Sequence, residues 1–109
     1  MLNGTVYLIK DKNNNSYKIG MTKLNCQEKR LKILQTGNPN ELELICSVNC
    51  EYPIRTEVML HRHFKKYHIL NEWYELPDNE VSRFEETCRH YIDLIDVLKD
   101  NVFFAKNLK

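Results

Sequence analysis

The sequence predicts an α+β fold: a three-stranded, mainly antiparallel sheet flanked by helices, with a further helix added at the C-terminal end. Three patterns predict it. Two short β-branched and aromatic stretches, at residues 5–9 and 17–21, flank an Asn-rich turn. Leu42, Leu44, Cys46, Val48 and Cys50 alternate at strand period. Three later stretches, opening near Asn25, Pro53 and Asp78, repeat apolar residues at helical period.

In chain order, Thr5 to Ile9 forms the first strand, and Asn13-Asn14-Asn15 is a turn signal. Tyr17, Ile19 and Met21 then alternate with Lys18 and Gly20 as a second strand. A tight turn makes this pair antiparallel. Pairing Tyr7 opposite Lys18 centres the turn between Lys12 and Asn13 and puts both side chains on one face, with Tyr17 on the other. Asn25 with Glu28 three residues on reads as a helix cap with a supporting acid. That helix runs through Leu31 and Leu34, Gly37 closes it, and Pro39 prevents its return. The third strand spans Leu42–Cys50. Pro53 suits the first turn of a second helix reaching Tyr67. Glu72-Trp73-Tyr74-Glu75-Leu76 is extended. Pro77-Asp78 opens a long helix with Val81, Phe84, Cys88, Tyr91, Ile92, Ile95 and Leu98 at core spacing.

The 109 residues suit one domain, with a core at 4–76 and a helical extension at 77–109. Apolar residues make up 42% of the chain, enough for a packed interior. Apolar runs are too short for a membrane span, and the first residues lack a signal-peptide core, so an intracellular protein is expected. Cys26, Cys46, Cys50 and Cys88 contain no CxxC pair, which suits free thiols in a reducing compartment. Residues 1–70 carry 11 Lys/Arg against 6 Asp/Glu, and residues 71–109 carry 5 against 9. That basic-to-acidic shift is compatible with a polyanion-binding face and equally with ordinary solvated charge.

The second helix carries the most informative residue. On a helical wheel Leu60, Phe64, Ile54 and Val58 fall on one arc, with Glu57 and His61 inside it and Arg55, Arg62 and Lys66 opposite. A carboxylate among apolar groups loses hydration and needs a cation, a hydrogen-bond network or a metal. An Arg or His partner would satisfy it as well as an ion would.

Thr5-Val6-Tyr7, Lys18-Ile19-Gly20, Arg30 on a helix and Glu57 on a later helix follow one another in an order that resembles the GIY-YIG endonuclease superfamily. The similarity is greatest to its divergent phage and viral branch, where the second motif reads Lys-Ile-Gly and a Glu-Trp pair follows the glutamate helix. Here that pair is Glu72-Trp73, and the resemblance covers roughly residues 4–76. It implies a small GIY-YIG-like domain that hydrolyses phosphodiester bonds of DNA at one divalent metal ion, Mg²⁺ or Mn²⁺. Tyr7 would take a proton from the attacking water or position it, Lys18 would assist at the nucleophile or phosphate, Arg30 would stabilise phosphate charge, and Glu57 would bind the metal.

Elementary chemistry fits these roles. A phosphodiester transition state gathers negative charge that an Arg fork and a cation stabilise. Mg²⁺ is satisfied by few protein carboxylates plus waters and substrate oxygens. A tyrosine serves as a base only where nearby positive charge favours its phenolate, and Lys18 and a metal ion would supply that charge. Thr5 stands where the family places glycine, with Gly4 one position off. Leu34 occupies a position that many members give to histidine or tyrosine, and His61 from the other helix is the candidate substitute. Arg55, Arg62 and Lys66 are candidate phosphate contacts. Glu72 and Trp73 are expected to lock the sheet edge to the helix, and Trp73 also offers a stacking surface for a base. His63 and His68 are read as surface residues. The alternative to an active nuclease is a weak or inactive nucleic-acid or protein binding module on the same fold. With no recognition domain in these residues, specificity would come from substrate structure, a homodimer or a recognition partner.

Overall fold

The computed structural model describes residues 1–106. Five strands form one antiparallel sheet in the order β3-β1-β2-β5-β4. They are β1 Gly4–Asp11, β2 Ser16–Lys23, β3 Leu42–Cys50, β4 His68–Leu70 and β5 Trp73–Tyr74. The expected three strands form one side of the sheet, and the two short strands extend it beyond β2. Asn71, at φ 53°, makes the tight reversal between β4 and β5. Helices α1 (Gln27–Thr36), α2 (Pro53–His63), α3 (Asp78–Ser82), α4 (Phe84–Leu98) and α5 (Val102–Ala105) complete the described chain. None is long and apolar enough to cross a membrane.

The hairpin register differs from the expected one by two residues. Tyr7 pairs with Gly20, and Ile9 pairs with Lys18. Two features hold this register. The hydroxyl end of the Tyr7 ring lies over Gly20, where any side chain would overlap it. At the turn, the Asp11 carboxylate accepts from the amides of Asn13 and Asn14 and from Asn40 Nδ2. Tyr7 and Lys18 still share a face, because the shift is even.

Strand β3 does not present one continuous apolar face. Leu8 pairs with Cys46 but Ile9 pairs with Leu44, so Ile45 is an extra residue in a β-bulge. The bulge turns Leu42 and Leu44 toward Tyr7 and Ile9. Cys46, Val48 and Cys50 stay on the opposite face with Val6 and Leu8. Both sheet faces are therefore apolar. Helix α1 covers the Tyr7 face through Leu31 and Leu34. Helices α2 and α4 cover the Val6 face through Leu60, Phe64, Phe84 and Cys88. All four cysteines are free thiols.

The entry to α1 also differs. Asn25 is not its cap: it sits at φ 59°, and the cap position is Cys26, with no side-chain cap bond. The Asn25 amide instead donates to Thr5 Oγ1, which donates to Asn49 Oδ1, and Asn49 Nδ2 donates to Asn25 Oδ1. This closed circuit gives Thr5 a structural task where glycine was the expected family residue. On α2 the buried residues are Thr56 and Leu60, continued by Phe64 at its C-terminal cap, while Ile54 is 51% exposed, so the apolar arc is narrower than the wheel implied. A 3₁₀ turn, Lys65–Tyr67, follows that helix. The long C-terminal helix is interrupted at Arg83, and α5 is capped by Asn101, whose side chain accepts from the amides of Phe103 and Phe104. The last residues of the expected extension, 107–109, lie outside the described part.

Candidate functional site

Strand β5 covers only part of β2. It pairs Tyr74 with Tyr17 and Trp73 with Lys18, and the Ile19 amide donates to the Glu72 carbonyl at 3.1 Å. Beyond Ile19 the outer edge of β2 is open. Helix α2 packs along this part of the sheet, and the candidate side chains collect here.

Glu57 and His61 stand one turn apart on α2, with Glu57 Oε1 3.8 Å from His61 Nε2. Glu72, just before β5, completes a group in which one donor atom from each residue lies within 4.8 Å of the others. Lys18 Nζ pairs with Glu72 Oε1 at 2.7 Å. Lys18 is only 7% exposed, so this partner compensates for the loss of hydration. The His61 ring bonds through Nδ1 to the Tyr74 hydroxyl. Its Nε2 is sealed from solvent and makes no hydrogen bond among the described residues.

The electrostatics follow from this crowding. Burial first, and then the charge of Glu72, pushes the Glu57 carboxyl up to about 7 against the pull of Lys18. Burial lowers the pKa of His61 despite Glu72 and favours the neutral imidazole. Burial, then Glu72 and Glu57, raises that of Tyr74, which keeps its proton. Two carboxylates that disfavour each other's charge, beside a neutral imidazole with an orphaned nitrogen, form a donor set that a divalent cation fits.

Lys18, Glu57 and His61 are thus brought together. Tyr7 lies on the α1 face of the sheet: its ring is 1% exposed, and its hydroxyl lies over Gly20, two residues along the strand from Lys18. That hydroxyl makes no hydrogen bond among the described residues. Tyr7 packs in the α1 core with Leu34, which is a packing residue here. Helix α2 lies on the other sheet face, so His61 is not placed beside Leu34. Arg30 is half-buried on α1, and its guanidinium makes no ion pair or hydrogen bond among the described residues. Arg62 and Lys66 are exposed, the latter with its ammonium 5.1 Å from the Tyr67 ring centroid. Arg55 is not on an open face: its guanidinium lies 5.1 Å from the Phe104 ring centroid, and its Nε is sealed with no hydrogen bond among the described residues.

Glu72 and Tyr74 were not read as site residues. The signal for Glu72 was Lys18 itself. A lysine sharing a strand face with Tyr7 and Ile9 requires an anion nearby, and Glu72 is the acid next to its cross-strand partner Trp73. On the α1 side, Trp73 and Lys18 line a groove of about 300 Å³ together with Leu34 and Asn38.

A family model described as the T5orf172 domain matches residues 4–93. No curated protein and no solved structure matches the chain.

Proposed function

Because the chain belongs to the T5orf172 domain family, a phage-type domain associated with nuclease families, we propose that it is a metal-dependent endonuclease acting on DNA. The observation that carries this reading is the gathering of Glu57, His61 and Glu72 at the open edge of β2, next to Lys18. The GIY-YIG resemblance supplies the reaction class. A water oxygen attacks phosphorus, the bond to the leaving sugar oxygen breaks, the water proton passes to a base, and the leaving oxygen takes up a proton from solvent.

Glu57 would hold the Mg²⁺ or Mn²⁺ ion, which would supply positive charge to the phosphate oxygens. Tyr7 would fix the attacking water through its hydroxyl, with Gly20 letting that hydroxyl sit against the backbone. Lys18 would place a second positive charge beside the site. Arg30, whose guanidinium makes no ion pair or hydrogen bond among the described residues, would fork onto a phosphate oxygen. The basic residues Arg62 and Lys66 would contact the DNA backbone without reading sequence.

A second reading is a nucleic-acid binding module with little activity. It is favoured by the enclosure of Tyr7 within the α1 core. A paired experiment separates the two. Labelled DNA is bound in chelator and then given Mn²⁺ in a single turnover. The nuclease reading expects cleavage that falls about 100-fold or more in Tyr7→Phe, with binding retained. Binding without cleavage in any metal would leave only the binding module.

A further inference from the structure

The donor set at the β2 edge is richer than one carboxylate. From its geometry we infer that Glu57, His61 and Glu72 form a three-donor site for a divalent transition-metal ion, which exchanges with Lys18 for the Glu72 carboxylate. The inference rests on the nuclease reading only in placing a metal at Glu57.

Three observations converge on it. First, Glu57 and His61 are already close to ligating separation. Donors about 2.1 Å from one ion stand about 3.0–3.4 Å apart, and these two are 3.8 Å apart. Both are held on one helix, so little must move. Second, His61 has one nitrogen bonded to the Tyr74 hydroxyl, while the other is sealed from solvent, makes no hydrogen bond among the described residues and faces Glu57 Oε1 at 3.8 Å. A metal-ligating histidine characteristically has its second nitrogen fixed in this way. In the ligating tautomer Nδ1–H donates to Tyr74 and the Nε2 lone pair faces the two carboxylates. Third, Glu72 is the adjustable member. Its side chain is 42% exposed and, among the described residues, held by Lys18 alone, so it can rotate in by the remaining ångström or so.

The chemistry sets the preference. One imidazole with two carboxylates suits Mn²⁺, Fe²⁺, Co²⁺ or Zn²⁺, whereas Mg²⁺ gains little from an imidazole and retains its waters. Lys18 neutralises Glu72 when no ion is bound. On binding, its ammonium is released toward the groove it already lines with Trp73. The site would thus hand over a free cation on the side where a phosphate could lie.

The test is metal binding without nucleic acid. Purified wild type, His61→Gln, Glu72→Gln and Lys18→Met would be titrated with Mn²⁺ and Mg²⁺ by calorimetry, and with Co²⁺ by visible absorption. Thermal unfolding would check each fold. Wild type is expected to bind Mn²⁺ about tenfold or more tightly than Mg²⁺. His61→Gln should lose that preference while its Mg²⁺ affinity stays, and should shift the Co²⁺ bands. Glu72→Gln should weaken both ions. Lys18→Met should tighten Mn²⁺ binding, because the competing cation is gone. Mn²⁺ affinity unchanged in His61→Gln and Glu72→Gln would overturn the three-donor site. Unchanged or weaker binding in Lys18→Met would overturn the exchange. Tight, His61-dependent binding in a protein that never cleaves would sink the nuclease reading alone.

Discussion

Gly20→Ala tests how Tyr7 is held. A Cβ at Gly20 would lie 2.6 Å from Tyr7 Cζ and 2.9 Å from Cε1, and closer still to the hydroxyl oxygen. Carbon atoms pack at about 3.5–4.0 Å, so the ring would have to retreat by about 1 Å. It has little room, because Tyr7 is 1% exposed and packed with Ile9, Leu42 and the leucines of α1. Overpacking of this kind costs about 1–3 kcal/mol. Gly20 itself has no positive φ, so alanine fits its backbone. With the ring removed, the same substitution should be neutral or stabilising by about 0.4–1 kcal/mol. Urea unfolding of wild type, Gly20→Ala, Tyr7→Leu and the double variant measures both values. A reversal of sign between the two backgrounds is expected. Equal costs in both, or no cost in the wild type, would refute the contact. A displacement of about 1 Å should also lower any Tyr7-dependent cleavage about 100-fold.

Three further outcomes follow from the structure. Glu57, at about 7, has a folded-state pKa above its ordinary value, so its stabilising contribution is full below about pH 4.5 and is lost as pH rises through 7. In metal-free protein Glu57→Gln should therefore stabilise by on the order of 2 kcal/mol at pH 8 and by nothing comparable at pH 4, read from urea midpoints. Asp11→Ala removes the acceptor of the Asn13 and Asn14 amides and of Asn40 Nδ2, and should cost about 1–3 kcal/mol while speeding hydrogen exchange at those two turn amides. Thr5→Val keeps the shape but leaves the Asn25 amide and Asn49 Oδ1 without their partner, for a loss of about 1–2 kcal/mol in thermal unfolding.

Strand and helix periods made most elements legible, because burial on one face leaves a direct trace in residue spacing. Features set by contacts between distant residues left no such trace. The hairpin register depends on one ring lying over one glycine and on an aspartate under the turn. The bulge at Ile45 depends on two faces competing for the apolar residues of β3, so its alternation misled. Asn25 resembles a cap in sequence, but Thr5 and Asn49 capture it for a different circuit. At the site, the i,i+4 spacing of Glu57 and His61 on an apolar arc could be read directly. Glu72 could not, because its place beside them depends on a two-residue strand joining β2. Arg55 failed as an open basic residue because Phe104, some fifty positions later, folds over it.

Supercoiled-plasmid nicking by wild type and Glu57→Ala, in Mg²⁺, Mn²⁺ and chelator, bears most directly on the proposed chemistry. Nicking by the wild type that needs a metal, and falls about 100-fold or more in Glu57→Ala, would uphold phosphodiester hydrolysis centred on Glu57. No nicking by the wild type in either metal, or equal nicking by the variant, would contradict it.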